Sequence, residues 1–240
     1  MTKLTLNRSL TPERFSRLFC EAFDAEPEET EAELSPIWDE VFPFAIENGD
    51  EPVSQLLAFP VTHGANKGLY LYAIATDTDY RGKGLMRSLL SQVEDFAIDN
   101  GYSFTFLIAA DSALASAYER LGYCQKISIP ASAYPDTPDK ISASADLPLY
   151  GFDGDYSRLY DGYGLFPCSL EFASKSYPSA RIHLTDGGWV LTNDKDYTKI
   201  LASSHSVCER VRLTGAHCAL AKPLAEGAKI PEKICYPLPR

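Results

Sequence analysis

The sequence predicts an α+β fold followed by a smaller α+β lobe, and three observations carry that reading. By hydrophobic periodicity, residues 69–123 run strand, basic glycine loop, helix, strand, helix. Two strand-like runs and their turns lead into that unit as a meander. After residue 129 the composition shifts to Pro130, Pro135, Pro138 and Pro148 among Ser and Ala, with short strand patterns beyond.

At the N-terminal end, Thr11-Pro12-Glu13 has the chemistry of a helix start. The hydroxyl can cap, proline suits the first turn, and the acid complements the helix dipole. Phe15, Leu18, Phe19 and Phe23 then share one face. An acidic segment begins at Glu28, and Ser35-Pro36 opens a short helix with Ile37, Trp38 and Val41 on one side, ending before Pro43. Residues 44–47 and 53–62 are strand-like and flank Asn48-Gly49-Asp50, a hairpin turn cluster. Residues 63–68 form a second turn before a strand over 70–76, so three antiparallel strands are expected in succession; His63 reads as a turn residue.

Thr76-Asp77-Thr78-Asp79 cannot continue a buried strand, so a loop follows. Arg81-Gly82-Lys83-Gly84 supplies glycines where the backbone turns and cations beside the free N–H groups of the next helix. That helix has Leu85, Met86, Leu89, Leu90, Val93, Phe96 and Ala97 at three-and-four spacing and ends at Asn100-Gly101. A strand over 102–108 follows. Asp111-Ser112 can cap a helix over 113–121, with Leu114, Ala117, Tyr118 and Leu121 on one face and Gly122 closing it. Residues 123–129 read as another strand.

The domain reading is therefore 1–130 for the first domain, 131–148 for a linker and 149–240 for the small lobe. Within the lobe we expect a short helix over 155–163, a hairpin of 181–184 and 189–192 around Thr185-Asp186-Gly187-Gly188, and a late strand over 216–222. Tyr150, Tyr156, Tyr160 and Tyr163 read as aromatic packing, with an acceptor pocket as the alternative.

A helix start attracts anions at about 0.3–1 kcal/mol per interaction on a surface. Two familiar phosphate loops do not fit. The Walker pattern needs Ser or Thr after its lysine, whereas Lys83 is followed by Gly84 and Leu85. The dinucleotide fingerprint needs a third glycine and a later acid at a strand end.

These residues resemble the GCN5-related N-acetyltransferases (GNAT), whose acyl-CoA loop reads Gln/Arg-x-x-Gly-x-Gly/Ala. Arg81 to Leu85 fit, and Met86 departs at the last position. The family's second signature, Tyr-x-x-x-Gly-Phe/Tyr at a helix end, is matched by Tyr118 to Tyr123. Where many relatives have Asn seven residues before that Tyr, this chain has Asp111. The resemblance covers roughly the first 130 residues and implies a mixed, mostly antiparallel central sheet flanked by helices.

It also implies the site. Backbone groups of Ile74, Ala75 and Thr76 would face pantetheine and the thioester of acetyl-CoA; Arg81, Gly82, Lys83, Gly84, Leu85 and Met86 would hold the pyrophosphate. Tyr118 would protonate the departing thiolate after direct attack by an amine in a ternary complex. The strand over 70–76 holds no carboxylate or imidazole, so Glu47, His63, Asp77 through water, and the terminal carboxylate of Arg240 are the candidate bases. No metal or redox cofactor is needed. The alternative class is a non-catalytic acyl-CoA-binding sensor or regulatory module.

Composition sets the partners. The 240 residues are 45% apolar and 12% aromatic, as in a globular protein. A net charge of -11 argues against nucleic acid as a partner; it fits a cationic substrate, with plain solubility as the equal alternative, and the resemblance implies a small-molecule or peptide amine as acceptor. The six cysteines show no zinc spacing and read as reduced thiols. No stretch approaches the roughly 18 apolar residues of a membrane span, and no signal peptide is visible, so the expected location is the cytoplasm. A homo-oligomer is compatible with the sequence.

Overall fold

The computed structural model describes residues 10–63, 65–130, 143–148, 166–167, 179, 181–185, 188–192, 200–203 and 216–231. Helix α1 (Pro12–Phe23) starts as its sequence predicts: Thr11 is extended and its hydroxyl accepts the Arg14 N–H at 3.4 Å. Phe15, Leu18 and Phe19 are buried, whereas Phe23 ends the helix 46% exposed, against the Phe19 ring. The acidic segment is itself a helix, α2 (Pro27–Leu34). Pro27 and two first-turn acids, Glu28 and Glu29, favour its start, and Thr30 and Leu34 are buried. A 3-10 turn, Ser35–Glu40, buries Ile37 and leads into the sheet.

Strands β1 (Phe42–Asn48), β2 (Glu51–His63) and β3 (Asn66–Thr76) form the expected antiparallel meander. Its second turn is shorter than expected, because Gly68 lies inside β3. A Cβ there would stand 2.4 Å from the Phe104 ring, so the glycine admits a neighbouring strand rather than a bend. Helix α3 (Leu85–Asp99) crosses to β4 (Phe104–Ile108), which pairs parallel with β3; α4 (Ser112–Glu119) then leads to β5 (Gln125–Pro130). Tyr102 precedes the strand, and Leu114 is on the exposed side of α4.

The later strands are β6 (Ala143–Pro148), β7 (Phe166–Pro167), β8 (Arg181–Thr185), β9 (Gly188–Thr192), β10 (Ile200–Ser203) and β11 (Ala216–Pro223). Two expected boundaries change. Residues 143–148, read as linker, are a strand paired antiparallel with β8 in the four-stranded sheet β10-β9-β8-β6. Residues 216–222, read as part of the C-terminal lobe, belong to the main sheet: β11 enters between β4 and β5, giving the order β1-β2-β3-β4-β11-β5, with β7 beside β2. Pairing on both edges buries Ala219, Leu220 and Ala221, which explains an apolar strand so late in the chain. The expected β8–β9 hairpin is present. The expected helix over 155–163, with its tyrosines, lies outside the described residues.

Two apolar clusters cover the sheet. One gathers Phe15, Phe19, Ile37, Phe59, Tyr70 and Phe106; the other gathers Phe44, Leu56, Leu89, Val93, Tyr118 and Tyr123. The sheet is thus mixed, mostly antiparallel and flanked by helices, with β3 and β4 at its centre.

Candidate active site

The site begins with an irregularity in β3. Leu57 pairs with Tyr72 and Gln55 with Ala75, so one β2 residue, Leu56, faces two, Ala73 and Ile74. That is a β-bulge, and Ala73 adopts a left-handed φ of 53°, a conformation that L-residues with a Cβ rarely take. The parallel ladder to β4 runs from Gly68–Phe104 to Leu71–Leu107 and no further. Closed at Gly68 and bulged beyond Leu71, β3 therefore parts from β4 along Tyr72–Thr76. Ile74, Ala75 and Thr76 lie on this stretch.

Buried Ser54 supports the strand end, its hydroxyl meeting the Ala75 carbonyl at 3.3 Å and the Thr76 hydroxyl at 2.9 Å. The loop then turns over a short 3-10 segment, Thr78–Tyr80, capped by Asp77, whose carboxylate accepts the Asp79 N–H at 2.9 Å. Arg81 Nε donates to the Thr76 carbonyl at 3.0 Å, and Asn48 Nδ2 donates to the Tyr80 hydroxyl at 2.6 Å. Lys83 Nζ lies 4.5 Å from the Tyr80 ring centre, a cation–π contact.

Gly82 and Gly84 have φ of 75° and 78°, and a Cβ on either would meet nothing within 4 Å. Gly84 precedes α3 with no side-chain cap, and no acid occupies the first turn. The first amides of α3 thus meet an open loop bearing exposed Arg81 and Lys83, with exposed Arg87 in the first turn. Met86, the departure from the family pattern, is half-buried against the cluster of Leu89 and Leu90, so its bulk goes into the core.

The second motif is shaped differently. Asp111 caps α4 by accepting the Leu114 N–H at 2.7 Å. At the other end, the Tyr118 carbonyl accepts the Tyr123 N–H at 3.1 Å, and Gly122 has φ of 97°. This six-residue closure needs the left-handed glycine and holds Tyr118 and Tyr123 together, which gives Tyr-x-x-x-Gly-Tyr a physical basis. Their rings meet edge-on at 6.2 Å. Tyr118 is 4% exposed; burial first, and the nearby Asp111 carboxylate second, push its phenol up to about 12. Burial and Glu94 raise that of Tyr123 as well.

The candidate bases separate. His63 pairs with Asn66 at the opposite end of β3 from Thr76. At ~3.3 Å per residue the strand puts roughly 33 Å between those ends, which removes His63 from the site. Burial, then Lys229, lowers its pKa. Glu47 is in an ion pair with Arg14 at 2.8 Å, and Asp77 is the loop cap just described. Arg240 lies outside the described residues. Ser54, Asn48 and Tyr80 carry no sequence signal, since the hairpin and loop bring them together; Arg87 could have been found as a cation three residues into the helix.

The architecture agrees with comparison to known proteins. Residues 12–123 match the acetyltransferase (GNAT) family model, so this stretch is a GNAT domain. Among solved structures, a Pyrococcus horikoshii protein assigned to the acetyltransferases superposes with TM-score 0.59 at 12% identity, over 95% of this chain and 91% of the other. A GCN5-related N-acetyltransferase from Kribbella flavida gives 0.54 at 16% identity, covering 91% of this chain and 64% of that one. One from Anabaena variabilis gives 0.51 at 14% identity, over 73% and 50%. Against the last two, the chain spans between half and two thirds of their length, and at such identities the likeness is one of fold. No curated protein matches the chain.

Proposed function

We propose that the chain is an N-acetyltransferase that moves an acetyl group from acetyl-CoA to a primary amine by direct attack in a ternary complex. The observation that carries this reading is the opening of β3 from β4 beside an uncapped, cationic helix start. An anionic, elongated thioester fits such a place: its pyrophosphate would lie on the amides after Gly84 and beside Arg81 and Lys83, while its pantetheine arm would run along Ile74, Ala75 and Thr76.

On this reading the amine nitrogen bonds to the thioester carbon, and the carbon–sulfur bond breaks as sulfur leaves with its electron pair. A backbone N–H of the freed strand near Ala75 or Thr76 stabilises the oxyanion, which is more charged than the ground-state carbonyl. Tyr118 supplies a proton to sulfur, and its phenolate takes one back from solvent. Since its phenol is held near about 12, it stays protonated at neutral pH and acts first as a hydrogen-bond donor to the developing thiolate. The nitrogen's proton leaves through solvent, with Asp77 the candidate base nearest the strand end.

The acceptor side is α1 and α2. Phe19 stands 6.1 Å from the Tyr72 ring, one residue from the bulge, and exposed Glu26, Glu28 and Glu29 lie on the adjoining helix region. A cationic amine, small molecule or peptide, suits that wall. We also propose that the four-stranded sheet β10-β9-β8-β6 is a unit inserted between β5 and β11, and that the protein is cytoplasmic.

Calorimetry with acetyl-CoA, followed by thiol release across a panel of amines, tests the proposal. Binding with turnover supports it, and absence of binding overturns it. The 4% exposure of Tyr118 favours a second reading, a non-catalytic acyl-CoA sensor in which that ring is packing; binding without turnover on any amine would select it.

A further inference from the structure

Behind Tyr118 lies a polar cluster that the proposed chemistry does not use. Tyr123 donates its hydroxyl proton to Glu94 Oε1 at 3.1 Å and accepts the Thr105 hydroxyl at 3.2 Å. Lys222 Nζ reaches the other Glu94 oxygen at 2.6 Å and lies 5.8 Å from the Tyr123 ring centre. The four residues come from α3, β4, the end of the α4 turn and β11, so one ion pair ties together segments 128 residues apart. Gly122 takes part by omission: a Cβ on it would lie 3.2 Å from Lys222 Cε, so a side chain there would crowd the lysine.

We infer that Glu94, Lys222 and the Tyr123 hydroxyl are positioning residues for Tyr118, fixing the ring against which the proposed acid packs. Tyr118 has no hydrogen-bond partner of its own hydroxyl among the described residues, so its orientation is set by the α4 backbone and by packing. Its edge-on neighbour is Tyr123, which is fully buried and held at both hydroxyl lone pair and proton. A partly buried ion pair with a phenol donating to it is geometrically stiff, because each member satisfies another. Stiffness matters here because an acid misplaced by about 1 Å loses on the order of 100-fold in rate. The device also makes the site depend on β11, since Lys222 arrives only when that strand is seated.

The inference rests on Tyr118 acting as the acid, and a double-mutant cycle separates the two claims. Glu94→Gln removes the charge that holds Lys222. Tyr123→Phe keeps the ring and the fold while removing its tether, so the test survives if the first variant is poorly folded. Each is measured alone and with Tyr118→Phe, following kcat, KM for acetyl-CoA and melting temperature on the full chain. The expected result is a fall in kcat of roughly 10- to 100-fold in either single variant, unchanged KM, and no further fall once Tyr118 is Phe. A purely structural role would lower the melting temperature equally in both backgrounds and leave the kcat losses additive. Additive losses, or full kcat in Tyr123→Phe and Glu94→Gln, overturn the positioning role while leaving Tyr118 as the acid. Full kcat in Tyr118→Phe alone overturns the acid and, with it, this inference.

Discussion

The two glycine turns of this domain look alike in sequence and do opposite things in space. At Gly82 and Gly84 the left-handed backbone opens outward, an added Cβ would meet nothing within 4 Å, and the neighbours are exposed cations. At Gly122 the same conformation folds inward against Lys222, and the neighbours are two buried tyrosines. One glycine pair leaves room for something outside the chain, and the other leaves room for the chain itself. A positive φ identifies neither; the surroundings of the missing Cβ do.

Tyr118→Phe is the strongest test of the inward turn. The substitution keeps the packing and removes the donor, so turnover should fall by about 10²–10⁴ with acetyl-CoA affinity unchanged. Steady-state kinetics with chemistry limiting will show it; equal turnover would make the inward turn a packing device alone.

For the outward turn, Arg81→Ala should weaken acetyl-CoA binding by about 10- to 100-fold, the loss of a charge-assisted contact of ~1.5–3 kcal/mol. Gly84→Asp should do the same by placing a carboxylate against phosphate. Both are read by calorimetry, and unchanged affinity in both would mean that the loop is ordinary surface.

The comparison itself is tested by alanine at each glycine. Conformation alone should cost about 1–2 kcal/mol at Gly84 and at Gly122. At Gly122 crowding of Lys222 should add ~1 kcal/mol or more. Denaturant titration should therefore rank Gly122→Ala as less stable than Gly84→Ala, while only the latter loses affinity; the reverse ranking would contradict the account of the two turns.

The smallest effect is expected at Asp111→Asn. Asn caps a helix about as well as Asp, so stability at neutral pH should hardly move. Removing the carboxylate should lower the Tyr118 pKa, because Asp111 is its second cause after burial. A phenol held at about 12 in the fold against 10.0 ordinarily stabilises the folded state fully below pH 10 and loses that contribution as pH rises towards 12. The Tyr118 ring resonance should thus shift at lower pH on alkaline titration in Asp111→Asn than in the parent.

The reach of the sequence follows from the range of the forces involved. Caps, periodicity and glycine stops act over a few residues, so Thr11, Gly84, Gly101 and Asp111 could be read directly, and with them α1, α3, α4 and both signatures. Local pattern does not reveal the helix over residues 27–34, because eight residues with four acids show little apolar periodicity. Nor does it distinguish Gly68 from a turn glycine, because nothing local announces Phe104. The order of the sheet is a tertiary matter: β11 sits between β4 and β5 because its two edges and apolar residues find partners far away in the chain, and a strand pattern does not say which partners it will have. The same holds for the site. Arg81–Gly84 could be read from residue types as a candidate anion loop, and Ile74, Ala75 and Thr76 only through the family resemblance, but the bulge at Ala73, the exclusion of His63 by the length of β3, and the Glu94–Lys222–Tyr123 cluster exist only once distant segments meet.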